Sequence, residues 1–234
     1  MPPNQTKKVL VTGIGGNVGQ GILRNIRKFY GDKIYVLGTD LSPTTAGQFF
    51  CDETAQLPIY SAPRFIDDLK SLCKREEVDL IIPATDGEVV SIGKHANDLP
   101  DFVGSPTSTT SMCLDKFESF NRFHNAQLPF ADSCLPSTYD DRWDQFVVKP
   151  REGRGSRDIY YLTQWDNQFD DTFVIQEHLV GQEITIAFYR SRSGNILGPL
   201  TLQRELHSGM TWKCSVTEKF SKQVDTMIRA FNRS

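Results

Sequence analysis

The sequence predicts an α/β protein of two domains, residues 1–104 and 105–234. Short apolar segments alternate with amphipathic stretches from Lys8 to Gly104, and the composition then shifts to small polar residues at Gly104–Thr110. From Phe146 onward, strand-like segments dominate. A chain of 234 residues can bury a sizeable core, and two modest domains are more typical of this length than one.

The predicted strands of the first domain are near-continuous apolar runs, and the segments between them have helical periodicity. Such strands are typical of a parallel sheet that is covered by helices on both faces, so we expect a Rossmann-like domain. In chain order the predicted elements are strand Val9–Val11, helix Val18–Phe29, strand Ile34–Gly38, helix Arg64–Arg75, strand Leu80–Ile82 and helix Glu88–His95.

The second half is predicted to be α+β with an antiparallel sheet, because strands dominate after one helical stretch. Three phenylalanines of that helix lie on one face, at positions Phe117, Phe120 and Phe123. The predicted elements are helix Cys113–Asn125, strands Phe146–Lys149, Phe173–Gln176, Glu183–Tyr189 and Asn195–Gln203, and helix Thr217–Asn232.

Composition and charge narrow the class of protein. Hydrophobic residues make up 38% and charged residues 24%, which is ordinary for a globular protein. The formal net charge of −3 provides no broad positive field, so we expect no nucleic-acid partner. No apolar run is long enough to cross a bilayer and the N-terminus lacks the apolar core of a signal peptide, so we expect no membrane insertion.

The five cysteines and four histidines are scattered along the chain, and no two cysteines form a C-x-x-C pair. An odd number of dispersed cysteines is typical of reduced thiols rather than of a disulfide framework or a zinc site. We therefore expect a cytoplasmic protein without a metal site built from these residues.

A glycine-rich loop follows the first predicted strand. The spacing of Gly13, Gly16 and Gly19 is similar to that of the dinucleotide loop of short-chain dehydrogenases, and Asp40 ends the second strand where a ribose-binding carboxylate would lie. Three interpretations stay open: a tight turn without a ligand, an anion or substrate site at the helix N-terminus, and an NAD(P) site. The sequence has no convincing Tyr-x-x-x-Lys pair, which argues against the nicotinamide interpretation.

A second loop of the first domain, Pro83–Glu88, follows the predicted strand Leu80–Ile82. It lies at the edge where open α/β sheets bind ligands. Thr85 or Asp86 either caps the helix that follows or contributes to a ligand site at this edge, and both roles stay open.

The most informative stretch begins with the apolar strand Phe146–Val148, which ends in Lys149. The basic, glycine-rich loop Pro150–Arg157 follows, and a second apolar strand, Phe173–Gln176, leads through a turn to Glu183. A lysine and backbone N–H groups suit a polyphosphate. An apolar strand with exposed edge groups suits adenine, and a carboxylate suits the ribose hydroxyls. Together these features indicate an ATP site without a Walker motif.

This arrangement resembles the ATP-grasp superfamily, and in particular its carbamoyl-phosphate-synthase-like branch. The resemblance implies a Rossmann-like pre-ATP-grasp domain followed by an α+β ATP-grasp domain that lacks its last part. It implies an ATP-dependent ligase that activates a small-molecule carboxylate through an acyl-phosphate, which an amine, ammonia or a similar nucleophile attacks. An NAD(P)-dependent oxidoreductase that uses the Gly13–Gly19 loop and a non-catalytic nucleotide-binding module remain the alternatives.

The resemblance also implies a role for individual residues. Arg204 is the candidate catalytic residue, on the γ-phosphate or the acyl-phosphate. The candidate ATP ligands are Lys116 and Lys149 for phosphates, with Lys149 also near adenine; Gly153, Gly155 and Ser156 for a flap over the phosphates; Gln176, Glu177 and Leu179 for adenine; and Glu183 for ribose. An ordinary surface lysine at 116, a lysine at 149 that extends to solvent, and an exposed strand-end charge at 183 are the alternatives.

The sequence departs from the family pattern near its end. ATP-grasp enzymes hold Mg²⁺ with an acidic residue and a Glu-x-Asn motif on late strands, and no such motif follows Glu205. We therefore expect Mg²⁺ for the complete family domain, no metal ligands in this chain, and an inactive or incomplete catalyst. We also expect a homo-oligomer or a partner that completes the domain, and a terminal helix whose apolar face, at Val224, Ile228 and Phe231, is uncovered or lies against a neighbouring chain.

Overall fold

The fold is described from a computed structural model, for residues 6–153, 157–191, 193–207 and 210–231. The chain divides into two compact units, Met1–Leu114 and Asp115–Ser234. Within the described residues, no helix is long and apolar enough to span a membrane.

The first unit is a parallel α/β layer structure, as predicted. Its elements are β1 (Lys7–Val11), α1 (Asn17–Tyr30), β2 (Ile34–Asp40), β3 (Glu53–Gln56), α2 (Phe65–Arg75), β4 (Leu80–Ile82), α3 (Asp86–Lys94), β5 (Asp101–Phe102) and α4 (Thr107–Leu114). The strands form one sheet in the order β3-β2-β1-β4-β5, and every neighbouring pair is parallel. This strand order is that of a Rossmann-like domain.

Both faces of this sheet are buried, which explains the near-continuous apolar strands. Alternate residues of a strand point to opposite faces. Leu10 and its neighbours therefore pack against α2 and α3, where Phe65 and Leu69 are buried, while Val9 and Val11 pack on the side of α1. Helix α4 belongs by its contacts to this unit and packs against α3.

The second unit is α+β, with two antiparallel sheets. Its elements are α5 (Lys116–Asn125), β6 (Ser133–Cys134), β7 (Phe146–Pro150), β8 (Tyr160–Leu162), β9 (Phe173–Glu177), β10 (Ile184–Arg190), β11 (Ile196–His207), β12 (Met210–Val216) and α6 (Ser221–Phe231). One sheet has the order β6-β9-β7-β8 and the other the order β10-β11-β12. All strand pairs in both sheets are antiparallel.

One face of the four-stranded sheet holds the core of the second unit. Phe146 and Val148 from β7, Ile175 from β9 and Cys134 from β6 are buried together. A group of partly buried aromatic residues packs against them: Tyr139, Trp143, Trp165, Phe169 and Phe173. The strand residues that alternate with this core point to the opposite face, which carries the candidate site.

The single helix predicted for Cys113–Asn125 is wrong, because the chain breaks at Asp115. This residue has extended backbone angles, and its side chain accepts hydrogen bonds from the N–H groups of Phe117 and Glu118. An aspartate in this role begins a new helix rather than continuing the previous one. Asp115 therefore caps α5 at its N-terminus, and α4 is a separate helix.

The terminal helix begins at Ser221 rather than at Thr217, and Asn232 lies outside the described residues. The prediction that its apolar face is uncovered or covered by another chain is wrong for Val224 and Ile228, which are 1% and 7% exposed. Val224 lines a cavity of about 240 Å³ together with Thr201 and other residues of β11 and β12, so α6 packs against the three-stranded sheet of its own chain. The side chain of Phe231 lies outside the described part.

Candidate functional site

Three neighbouring strands place polar side chains in a row across the face of the four-stranded sheet that lies opposite its aromatic core. Ser133 of β6 pairs directly with Gln176 of β9, and Gln176 pairs with Val147 of β7. Lys149 lies two residues beyond Val147, so it is the diagonal neighbour of Gln176 on the same face. Strand register, rather than sequence proximity, therefore brings Ser133, Gln176 and Lys149 together.

Lys149 is partly buried, and its Nζ donates a hydrogen bond of 2.6 Å to Oε1 of Gln176. Burial lowers the pKa of the Lys149 ammonium, and the positive charge of Lys116 lowers it further. The acceptor is a neutral amide, so this hydrogen bond orients the ammonium without neutralising it. The side chain points into the candidate site and does not extend to open solvent.

Lys116 begins α5, immediately after the capping residue Asp115. Its Nζ donates to the main-chain carbonyl oxygens of Pro150, Arg151 and Gly153, at 3.0, 3.2 and 3.4 Å. Its backbone N–H also donates to the Arg151 carbonyl oxygen, at 3.0 Å. Lys116 is thus bound to the loop that follows Lys149, and it is not an ordinary surface lysine.

A salt bridge that the sequence did not suggest fixes the start of α5. The Nε of Arg151 donates to both carboxylate oxygens of Asp115, at 3.2 and 3.0 Å, while the backbone N–H of Arg151 donates to the carbonyl oxygen of Thr172. Burial by itself would raise the pKa of Asp115, but hydrogen bonds from Arg151 and from the N–H groups of the helix outweigh it and lower the pKa. Arg151 therefore joins the loop, the start of α5 and the residue that precedes β9.

The predicted adenine segment follows Gln176 at the end of β9. The backbone N–H of Glu177 donates to the Asp132 carbonyl oxygen at 3.0 Å, and its carboxylate accepts the Asp132 N–H at 2.8 Å. The N–H of Glu177 is therefore already engaged in a hydrogen bond within the protein and is not available to a ligand. Leu179 lies in the turn that follows and is 65% exposed. The Nδ1 of His178 forms a hydrogen bond of 3.2 Å with Oε1 of Gln145.

Glu183 and Arg204, predicted for ribose and for a phosphoryl group, contact each other directly. An Nη of Arg204 donates to Oε1 of Glu183, and the Arg204 backbone N–H donates to the Glu183 carbonyl oxygen at 3.1 Å. Among the described residues, the Nε of Arg204 is the buried side-chain nitrogen that lacks a hydrogen-bond acceptor. A buried donor without an acceptor is costly, and a ligand oxygen would satisfy it.

The predicted flap lies only partly within the described residues. Gly153 is described and its carbonyl oxygen accepts from Lys116. Gly155 and Ser156 lie outside the described part. For a metal ion, the described residues contain no group of three or more His, Cys, Asp and Glu side chains that would hold one.

The glycine-rich loop of the first unit is a tight turn in which Gly13 has a positive φ of 56°. The N–H of Gly15 donates to a carboxylate oxygen of Asp40 at 2.8 Å. An anionic ligand at this N–H would have to compete with that carboxylate. Gly19 allows close packing of α1 on the loop, because a Cβ there would lie 2.3 Å from the Gly13 carbonyl oxygen.

The second loop of this unit that was a candidate for ligand binding, Pro83–Glu88, contains a helix cap. The side chain of Thr85 accepts a hydrogen bond from the N–H of Glu88, as predicted for the capping role. Its hydroxyl also donates to the carboxylate of Glu88, which in turn accepts from the hydroxyl of Thr12. Asp86 is the first residue of α3.

Comparison with known protein families accounts for most of the chain. Residues 9–101 match the family described as PylC-like, N-terminal domain, and residues 113–217 match the family described as ATP-grasp domain. The part of the chain from residue 113 to residue 217 is therefore an ATP-grasp domain. Among curated proteins, none matches the chain significantly.

Solved structures show the same ATP-grasp fold. N5-carboxyaminoimidazole synthetase from Staphylococcus aureus in complex with ADP has a TM-score of 0.78 and 13% identity, over 97% of this chain and 63% of that chain. N5-carboxyaminoimidazole ribonucleotide synthetase from Thermotoga maritima has a TM-score of 0.70 and 18% identity, over 97% and 61%. For the L-amino acid ligase from Bacillus licheniformis the values are 0.69, 13%, 97% and 59%. The chain thus spans 59% to 63% of the length of these structures.

Within the ATP-grasp domain, sequence reasoning missed Ser133 and the salt bridge between Asp115 and Arg151. Ser133 is an isolated serine in a strand of two residues, so no periodic pattern identifies it. Asp115 and Arg151 are 36 residues apart, so no local pattern identifies their salt bridge. The structure brings Lys116, Lys149 and Gln176 together around the start of that loop, and pairs Glu183 with Arg204.

Proposed function

We propose that the ATP-grasp domain of this chain binds ATP and that the protein is an ATP-dependent ligase. The observation that carries the proposal is that two lysines meet at the start of one glycine-rich loop: the Nζ of Lys116 donates to the carbonyl oxygens of Pro150 and Arg151, and the Nζ of Lys149, the residue before Pro150, donates to Gln176. Burial and the positive charge of Lys116 both disfavour the charged form of Lys149, which lowers its pKa. An anion bound between the two ammonium groups would remove part of this cost, and a nucleotide phosphate is such an anion.

The remaining ligands extend from these two lysines. Lys149 contacts the phosphate nearest the base, while Lys116 and Gly153 lie at the base of the flap over the other phosphates. The segment Glu177–Leu179 lines adenine, and Glu183 accepts hydrogen bonds from the ribose hydroxyls. The Nε of Arg204 is buried without a hydrogen-bond acceptor, which supports a hydrogen bond from this residue to a phosphoryl or acyl-phosphate oxygen. Gly155 and Ser156 complete the proposed flap.

The proposed reaction has two steps. A carboxylate oxygen of the first substrate attacks the γ-phosphorus of ATP, which gives an acyl-phosphate and releases ADP. An amine, ammonia or a similar nucleophile then attacks the carbonyl carbon, and inorganic phosphate leaves. The lysines and Arg204 contribute by holding the phosphates in position and by stabilising negative charge on the transferred group. Mg²⁺ is expected for the complete family domain, where it would offset the negative charge of the phosphates.

We also propose a branch of the family, a cellular location and a mode of assembly. They are the carbamoyl-phosphate-synthase-like branch, a cytoplasmic location, and a homo-oligomer or partner that completes the domain. The cytoplasmic location is supported by five cysteines that form no disulfide in the described structure. The domain boundary at residue 104 also remains a prediction.

Nucleotide preference tests the binding proposal. We expect ATP and ADP to raise the midpoint of thermal unfolding of the ATP-grasp domain, because a ligand that binds only the folded state stabilises it. NAD⁺, NADH and NADPH at the same concentrations serve as controls. Protection by the nicotinamide nucleotides and not by ATP would overturn the proposal and favour the oxidoreductase that uses the Gly13–Gly19 loop.

Turnover tests the ligase proposal separately. The prediction for the pure 234-residue chain is weak nucleotide binding with negligible ADP release, whatever carboxylate or amine is offered. Robust Mg²⁺-dependent ADP release that is lost on Arg204→Gln substitution would contradict this prediction and would establish metal ligands within this chain. Tight ATP binding without ADP release, whatever carboxylate or amine is offered, would favour the non-catalytic module.

A further inference from the structure

The row formed by Ser133, Gln176 and Lys149 has a defined hydrogen-bond direction. The hydroxyl of Ser133 donates its single hydrogen to the Ala131 carbonyl oxygen at 3.0 Å. It therefore accepts from Nε2 of Gln176, which lies 2.9 Å away. The amide oxygen of Gln176 is then directed to the other side, where it accepts from the Lys149 ammonium at 2.6 Å.

Both ends of the row require the same orientation of the glutamine amide. An ammonium only donates hydrogen bonds, so it requires the amide oxygen; a serine whose hydrogen is already committed requires the amide nitrogen. Ser133 is 4% exposed, so water has little access to this end of the row. The amide is held in one orientation, and the ammonium of Lys149 has one fixed acceptor.

We propose that Gln176 and Ser133 are positioning residues that aim the Lys149 ammonium at the nucleotide phosphate while leaving its positive charge available. The proposal rests on the proposed function, since it requires that Lys149 binds phosphate. It assigns to Ser133 a role that nothing in the sequence indicates, and it changes the role of Gln176 from a contact with adenine to a contact with the phosphate-binding lysine. A neutral acceptor is essential in this arrangement, because a carboxylate would neutralise the ammonium and repel the phosphate.

The decisive variant is Gln176→Glu, which keeps the side-chain shape and replaces the amide by a carboxylate. We expect its affinity for ADP to fall by about tenfold or more, since the lysine then pairs with the new carboxylate instead of with phosphate. Adenosine, which has no phosphate, should bind the variant and the wild type equally. The matched control is Gln223→Glu, which adds the same charge at an exposed position of α6.

The measurement is titration calorimetry for ADP and ligand-observed NMR for adenosine. Equal losses of ADP and adenosine affinity in Gln176→Glu would show that Gln176 contacts the base, and would overturn the proposal. Unchanged ADP affinity would also overturn it. A wild-type chain that binds neither ligand would instead refute the proposed function, so the two failures are distinguishable.

The pH dependence of ADP binding gives a second readout that a purely structural role would not change. In Gln176→Glu the new carboxylate should raise the pKa of Lys149, so the loss of ADP affinity at high pH should move to higher pH.

If Gln176→Glu does not fold, Ser133→Ala provides the test. It should weaken ADP binding by a few-fold and leave adenosine binding unchanged, because the amide loses the partner that fixes its direction. Wild-type ADP affinity in folded Ser133→Ala would exclude Ser133 from the proposal.

Discussion

Glu183 and Arg204 form hydrogen bonds with each other through both their main chains and their side chains. The carbonyl oxygen of Glu183 accepts the N–H of Arg204, and one oxygen of its carboxylate accepts an Nη of the same arginine. The first residue immediately precedes β10 and the second lies within β11, so the pairing of these strands holds the side chains together. A carboxylate held at one oxygen retains its second oxygen for a ligand.

We predict that Glu183→Gln reduces discrimination between ATP and its 2′-deoxy analogue by about tenfold, because the amide loses a charged acceptor for a ribose hydroxyl. Competition calorimetry with the two nucleotides measures this ratio. The control is Glu205→Gln, whose exposed carboxylate lies 3.9 Å from the Lys213 ammonium. If Glu183→Gln has normal thermal stability and unchanged discrimination, Glu183 is only a charge at the start of a strand.

Lys149→Ala should weaken ATP binding by at least about tenfold, which corresponds to the ~1.5–3 kcal/mol of a hydrogen bond to a charged group. Lys70→Ala is the matched control, since that ammonium forms an exposed ion pair with Asp98 at 3.0 Å in the first unit. Calorimetry on both variants tests the prediction. Equal ATP affinities for the two variants would remove Lys149 from the nucleotide site.

The lowered pKa of Lys149 predicts a pH dependence of nucleotide binding. Bound phosphate favours the charged lysine, so its pKa is higher in the complex than in the free protein, and binding takes up protons. Affinity for ADP should therefore be complete below the free-state pKa, which lies under the ordinary value of 10.5, and should fall as the pH rises through it. Measurements above about pH 8 avoid ionisation of the phosphates themselves, whose second pKa is near 6.

The control for this pH dependence is Lys149→Arg, because a guanidinium stays charged throughout this range. Its affinity for ADP should change little between about pH 8 and the pH at which the wild type loses binding. An identical decline in both proteins would assign the titration to a group other than Lys149.

Asp115→Ala should destabilise the second unit by about 2 kcal/mol, because it removes a helix cap and the partner of Arg151. All three tryptophans of the chain, Trp143, Trp165 and Trp212, belong to this unit, so their fluorescence during urea unfolding reports on it. Glu118→Ala is the control, since that carboxylate is exposed and 3.9 Å from Arg151, and it should cost less than about 0.5 kcal/mol.

The effect of Asp115→Ala should depend on pH in a defined direction. The folded-state pKa of Asp115 is lowered, so its stabilisation is present above the unfolded value of about 3.9 and is lost as the pH falls through the folded value. The difference in unfolding free energy between wild type and variant should therefore shrink in acid. A difference that grows in acid would contradict this account of the salt bridge.

Local pattern was sufficient to predict the class of each half of the chain. Strands such as β7 and β9 are short apolar runs that end in polar residues, and this pattern identifies them without tertiary information. The failure at Asp115 has a simple physical cause. The apolar spacing continues across this residue, whereas the side-chain cap that interrupts the helix depends on hydrogen bonds that periodicity does not encode.

The candidate site was predictable only where adjacent residues carry its chemistry. Lys149 and the loop after it form one continuous segment, so the sequence alone indicates their association. Ser133 and Gln176 are 43 residues apart and meet through strand register. The partnership of Glu183 with Arg204, 21 residues apart, depends in the same way on the pairing of β10 with β11. Contacts of this kind follow from the assembled sheets.

Glutamine and glutamate codons differ by a single base, so mutation reaches a carboxylate at position 176 in one step. The side chain at this position lies between a hydroxyl that accepts and an ammonium that donates. Glutamate has acceptors at both ends of its carboxylate and would face the oxygen of Ser133 without a hydrogen to give it. Asparagine has the right polarity but is one methylene shorter. Among the side chains that the genetic code offers, glutamine alone combines this length with a donor on one side and an acceptor on the other.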